Sequence, residues 1–234
     1  MYDRASRPQM TSKALALLVG FSIAVASVDA RATTTTLFSD DFSDGNSTGW
    51  TPTNAPEWSV DSDGVEFTYH RTATTATWND SLIGQYAWTD TSVEATVKVN
   101  RWLVAGDPTY LAAVYARYSG NSPSTTNGYF VTVRGDGSIG INKRTNGVNT
   151  TLSSFPAAGM IAGSFYRIRL EVIGANPVRL NAYLNGVLRV TAVDANSWIA
   201  NGQVGVGTFG TDASFDSFVV TNGDVIGSES WMTY

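Results

Sequence analysis

The sequence predicts an all-β protein, a two-sheet antiparallel β-sandwich of the jelly-roll kind, and three observations predict it. From Leu37 onward, apolar residues recur with a period of two rather than 3.6, as strands with one buried face require. Asp136-Gly137, Asn146-Gly147 and Asn185-Gly186 each interrupt such alternating runs, and these pairs suit the type I′ turn of a tight hairpin. About a dozen strand-like runs follow one another over short connections with no convincing helix between them, which calls for two packed sheets.

Taken in order, strands are expected near 37–42, 57–60, 64–71, 74–78 and 92–102. In the last of these, Val93, Ala95, Val97 and Val99 alternate with Glu94, Thr96, Lys98 and Asn100. Further strands are expected near 110–118, 128–134, 138–144 and 148–154. The run 165–173 alternates Tyr166, Ile168, Leu170 and Val172 with Arg167, Arg169 and Glu171. Strands near 178–184, 187–193, 203–209 and 213–220 complete the set. In 64–71, Val65, Phe67 and Tyr69 form the expected core face, with Glu66, Thr68 and His70 on the other. Trp198-Ile199 is expected in a turn or a single helical turn.

Residues 14–26, ALALLVGFSIAVA, are an apolar run preceded by Lys13. It is too short to span a membrane and suits the core of a secretory signal peptide. Small residues follow, so residues 1–32 read as a leader cleaved after Ala30 or Ala32, with Met10 as an alternative start. Residues 33–221 then read as one sandwich domain, and 222–234 as a tail without a clear strand pattern. The small-polar stretch 119–127 reads as a loop.

The full chain has 234 residues, no Cys, one His, and 15 basic against 20 acidic residues, a net charge of −5. Without residues 1–32 the balance is 11 basic to 18 acidic, or −7. Absent Cys excludes disulfides, thiolate metal sites and a Cys nucleophile. The acidic balance argues against a nucleic-acid partner, whose footprint is a basic face. No later segment is apolar enough to span a membrane, so the expectation is a secreted or periplasmic protein.

The opening Leu37-Phe38-Ser39-Asp40-Asp41-Phe42-Ser43-Asp44-Gly45 with Gly49-Trp50 resembles that of concanavalin A-like domains, of the laminin-G-like and family 16 glycoside hydrolase-related type. The similarity continues through Val93–Val97, Val114–Tyr118, Gly128-Tyr129-Phe130 with Arg134–Gly137, and Leu180 with Tyr183–Gly186. It closes with Gly202–Gly207 and Phe215–Val220. The resemblance implies a domain that binds or processes polysaccharides. It also implies a structural calcium joining the first strand to a late Asp; the matching positions are Asp41 or Asp44 with the Gly45 carbonyl, and Asp216. Calcium favours such carboxylate and carbonyl oxygens.

The catalytic signature of family 16, Glu-x-Asp-x-x-Glu, is missing. The five glutamates, Glu57, Glu66, Glu94, Glu171 and Glu229, include no pair at that spacing, so the two-carboxylate retaining mechanism lacks its residues. Carbohydrate binding asks for less: an exposed aromatic for the sugar's C–H face and planar polar groups for its hydroxyls. The candidates are Trp78, Trp88, Trp102, Tyr115 and Tyr129, with Arg117, Arg134 and Lys143 as polar partners; Trp50 and Trp58 are assigned to the core. The favoured expectation is a lectin-like module that recognises polysaccharide on its concave face. An alternative is a polysaccharide lyase that cleaves a uronic-acid polymer by β-elimination. It would use His70 or a tyrosine such as Tyr115 as base and Arg117 or Arg134 to hold the carboxylate. A third is an adhesion or envelope module that binds protein. Asn46-Ser47-Thr48, Asn79-Asp80-Ser81 and Asn149-Thr150-Thr151 match the N-glycosylation pattern, which matters only in a eukaryotic secretory host.

Overall fold

The computed structural model of the protein describes residues 34–62, 65–120, 124–156 and 159–222. The leader expected at 1–32, the tail expected at 222–234 except for Asn222, and the centre of the 119–127 loop lie outside the described residues. The strands are β1 (Thr36–Asp40), β2 (Thr51–Pro52), β3 (Trp58–Ser62), β4 (Phe67–Arg71) and β5 (Trp78–Trp88). They continue as β6 (Thr91–Trp102), β7 (Leu111–Ser119), β8 (Asn127–Arg134), β9 (Ile139–Thr145) and β10 (Val148–Phe155). The last five are β11 (Phe165–Ile173), β12 (Val178–Leu184), β13 (Val187–Asp194), β14 (Gly202–Phe209) and β15 (Thr211–Asn222). A single 3-10 turn, Ala55–Glu57, is the helical element among the described residues.

The strands form two antiparallel sheets. One runs β13-β12-β11-β6-β15-β4-β3, with β1 also paired to β15; the other runs β10-β9-β8-β7-β14-β5-β2. This is the predicted sandwich. Strand β15 serves two neighbours in turn: Ala213–Phe215 pair with β4, and Phe218–Thr221 pair with β1. The change falls at a bulge where Ser217 takes φ +48.

Alternation builds the core between the sheets. Val93, Ala95, Val97 and Val99 from β6 and Ile168, Leu170 and Val172 from β11 are buried. Facing them are Ala112 and Val114 from β7, Val131 and Val133 from β8, and Val204 and Val206 from β14. An aromatic group closes one end: Tyr69 stacks on Trp58 at 4.6 Å and on Phe42 at 5.2 Å, and Trp50 meets Phe218 edge-on at 4.9 Å. Trp50 and Trp58 are thus core residues, as expected from the sequence.

Three local expectations are corrected. The strand expected at 74–78 begins where that run ends, because Trp78–Trp88 pairs with β14 from Phe209 to Gly202. Its polar residues Asn79, Asp80 and Ser81 are all buried, against the usual strand propensity. Of the core face expected in 64–71 only Tyr69 is buried; Val65 is 92% exposed and precedes the strand, and Phe67 is exposed. Asn146-Gly147 and Asn185-Gly186 have φ > 0 at both residues, as type I′ requires. At Asp136-Gly137 only Gly137 does, and the Gly137 N–H donates to Arg134 O at 2.9 Å. That is a type I turn followed by a glycine bulge.

Candidate functional site

The outer face of the seven-stranded sheet carries a second cluster, separate from the core: Leu111, Ala113, Tyr115, Tyr118 and Phe130, with Trp78, Leu82 and Phe209 packed against it. Strict alternation would put Tyr115 and Tyr118 on opposite faces. The bulge in β7 between Ala116 and Ser119, with Arg117 at φ +49, shifts the parity and brings both rings to the outer face, 4.6 Å apart.

Both tyrosines converge on Asp80 of β5. The Tyr115 hydroxyl donates to Oδ1 and the Tyr118 hydroxyl to Oδ2, each at 2.6 Å. Arg144 of β9 donates to the Tyr118 hydroxyl at 2.7 Å and lies 3.7 Å from Asp80 Oδ2. Burial pushes the Asp80 carboxyl up, opposed by the two hydroxyls and Arg144; burial and the same carboxylate raise Tyr115 well above its ordinary value. Gly207 on β14 makes room for this cluster, since a Cβ there would meet Asp80 Oδ1 at 2.6 Å and the Tyr115 ring at 2.7 Å. The Arg144 guanidinium also stacks on Trp78 at 4.2 Å and is fixed by donating to Asn149 Oδ1 at 2.6 Å.

Above this floor lies a cleft of about 370 Å³. Trp78, Phe130, Leu111 and Phe209 supply apolar walls; Arg134, Asn142, Asn149 and Thr151 supply polar groups, and Pro108-Thr109 form a rim. A cleft of mostly apolar walls with a few convergent polar groups is the usual form of a small-ligand site. The polar groups are held in a network. Asn142 Oδ1 accepts from Arg134 Nη2 and Thr151 Oγ1, each at 2.9 Å, while Asn142 Nδ2 donates to Thr132 Oγ1 at 3.0 Å.

Of the residues the sequence singled out, Trp78 and Arg134 line the cleft and Tyr115 lies buried in its floor. Arg117 is buried and donates to the carbonyls of Thr89, Ile199 and Gly174 and to the Asp90 carboxylate. Tyr129 and Lys143 point into the sandwich: the Tyr129 hydroxyl donates to Asp194 Oδ2 at 2.6 Å, and Lys143 Nζ lies 2.7 Å from the same oxygen. Trp88 and Trp102 are half-buried against the core. Asn79 is buried and bonded to Trp58 and Glu57, which removes it as a glycan acceptor.

His70 sits on the other sheet, apart from Tyr115, Arg117 and Arg134. Its Nε2 is 2.8 Å from Asp212 Oδ1 and its Nδ1 is 3.0 Å from Asp61 Oδ2. The bond to Asp212, helped by that to Asp61, raises the His70 pKa against the cost of burial. Both imidazole nitrogens are thus engaged by carboxylates, and of the residues named for a lyase Tyr115 and Arg134 lie at the cleft whereas His70 and Arg117 lie elsewhere.

Phe130, Phe209, Asn142, Asn149, Thr151 and the 108–109 rim were not anticipated. They come from β8, β9, β10, β14 and a loop, and no local motif links them. One signal was present: the glycine at every second position in Gly205-Val206-Gly207 marks a strand face that something bulky approaches closely.

The sequence profile of the galactocerebrosidase C-terminal lectin domain matches residues 67–223, which includes every residue lining the cleft. No curated protein sequence matches the chain. Among solved structures, the carbohydrate-binding module CBM66 from Bacillus subtilis aligns with TM-score 0.57 and 19% identity, over 75% of this chain and 96% of that one. The β-glucanase of Bacillus licheniformis aligns with TM-score 0.58 and 15% identity, over 79% and 97%. The metal-free carbohydrate recognition domain of Emp46p aligns with TM-score 0.55 and 12% identity, over 75% and 88%. These three likenesses establish the concanavalin A-like fold. With the profile covering most of the sandwich, this chain belongs to the family of galactocerebrosidase C-terminal lectin domains.

Proposed function

We propose that this lectin-like domain binds an oligosaccharide or a short stretch of polysaccharide in the cleft on the outer face of its seven-stranded sheet, and that it does so as an exported protein. The observation that carries the reading is the pairing, in one cleft, of the Trp78 and Phe209 rings with the planar polar groups of Arg134, Asn142 and Asn149. Sugar rings stack on such aromatics, and fixed amide and guanidinium groups meet their hydroxyls. The family's lectin assignment supports binding as the function, and the described lining residues include no Asp or Glu to act as acid or nucleophile. Export is supported by the leader pattern, and no helix among the described residues is long and apolar enough to cross a membrane.

Trp78→Ala removes the stacking surface and the partner of Arg144. Calorimetric titration of a glycan ligand is expected to show a loss of tenfold or more, roughly the worth of one ring contact and its packing. Wild-type affinity in the variant would contradict the proposal.

Calcium belongs to the same proposal as a structural ion. Asp40 pairs with Phe218, so the 41–45 loop leaves the sheet beside the bulge at Asp216-Ser217. Asp41, Asp44 and Asp216 each accept hydrogen bonds only within their own turns. Hard oxygen donors from both ends of the domain thus lie close in register. No group of three acidic or His side chains converges among the described residues, so carbonyls such as that of Gly45 and water would complete the shell. EDTA is expected to lower the melting temperature, and Asp216→Asn to abolish that difference; an EDTA-insensitive melt would contradict it.

A further inference from the structure

Arg134 is the one charged residue among the described lining of the cleft. A guanidinium has five N–H donors. Here Nε donates to Thr132 Oγ1 at 3.2 Å, Nη2 to Asn142 Oδ1 at 2.9 Å and Nη1 to Pro108 O at 3.4 Å. All three acceptors are neutral, and one N–H on each terminal nitrogen is left over. A guanidinium with N–H donors to spare suits the oxygens of a carboxylate or sulfate.

Among the described residues no carboxylate forms an ion pair with Arg134. Asp136, whose field reaches it, forms no ion pair with it and accepts instead from Ser138 N and Oγ at 2.9 and 2.7 Å. Asp107 accepts from Thr109 N at 2.8 Å. The other cation near the cleft, Arg144, has its own counter-charge in Asp80. A half-buried guanidinium whose protein partners are all neutral, fixed in place by Asn142 and Thr132, leaves a positive spot on a chain of net charge −5. Burial of such a charge is costly unless it is paired.

We propose that the cleft selects acidic saccharides, seating a carboxylate or sulfate substituent on the spare N–H donors of Arg134 while a ring of the sugar lies against Trp78 and Phe209. This rests on the reading of the cleft as the glycan site and names the ligand class for it.

The test is a glycan array that carries matched forms of several oligosaccharide backbones: uronate, carboxyl-reduced and O-sulfated. The expected result is that an anionic form binds about tenfold or more tightly than its neutral match. The carboxylate and sulfate arms show which anion is preferred. R134M should remove the preference, and R134K, which keeps the charge but loses the fork, should fall between. In wild-type protein the preference should shrink as NaCl rises from about 0.05 M to about 0.5 M, as screening requires; this arm decides even if R134M fails to fold. Equal binding of acidic and neutral matches, a preference that survives in folded R134M, or one indifferent to salt overturns the proposal and leaves the lectin reading intact. An array silent for every glycan overturns both.

Discussion

Replacing Arg117 by methionine is expected to lower the unfolding free energy by about 3–5 kcal/mol, the sum of three carbonyl hydrogen bonds lost from a buried guanidinium. Arg117 is 1% exposed and ties its own strand to three other segments, through Thr89 O, Ile199 O and Gly174 O at 2.8–2.9 Å and Asp90, next to Thr89, at 3.0 Å. Asp90 in turn accepts the Gly174 N–H at 2.9 Å. Methionine fills most of the volume but leaves three carbonyls without their donor, and each such loss costs about 1–3 kcal/mol. The exposed Arg179 on β12 is a control, since its replacement by methionine should change stability by under about 0.5 kcal/mol. Urea melts of both variants check this. A loss of less than about 1 kcal/mol for Arg117→Met would mean that the four-segment tie is not what holds these loops.

Asp80→Ala is expected to cost a similar amount, about 3–5 kcal/mol, and to weaken glycan binding as well. Without the carboxylate, the Tyr115 and Tyr118 hydroxyls lose their acceptor and Arg144 is left buried without its counter-charge. Arg144 is the cation stacked on Trp78 and bonded to Asn149, so disorder there reaches the cleft wall. Tyr118→Phe removes one hydroxyl from the same cluster and should cost less, about 1–3 kcal/mol. A double-mutant cycle between Asp80 and Tyr118 should show coupling of roughly 0.5 kcal/mol or more. Additive effects would mean that the two groups do not act as one unit.

The strands were legible because burial enforces alternation: Val93 to Val99 and Ile168 to Val172 read as core and are core. Strand β5 was obscured where Asn79-Asp80-Ser81 bury polar groups that only distant partners satisfy. The same non-local chemistry hid half the cleft. Trp78 and Arg134 carry recognisable side chains, whereas Asn142 and Thr151 act there only because β8, β9 and β10 align them. Tyr129 was readable as an inward residue, sharing parity with Val131 and Val133. Tyr118 was not, because its outward direction depends on the extra residue at Arg117.

If glycan is held on the outer face of the seven-stranded sheet, backbone amide shifts on titration with a bound oligosaccharide will centre on Trp78–Asp80, Thr109–Leu111, Phe130–Arg134, Asn142–Arg144, Asn149–Thr151 and Phe209. Changes centred instead on the eight-stranded sheet around Asp61, His70 and Asp212 would contradict it.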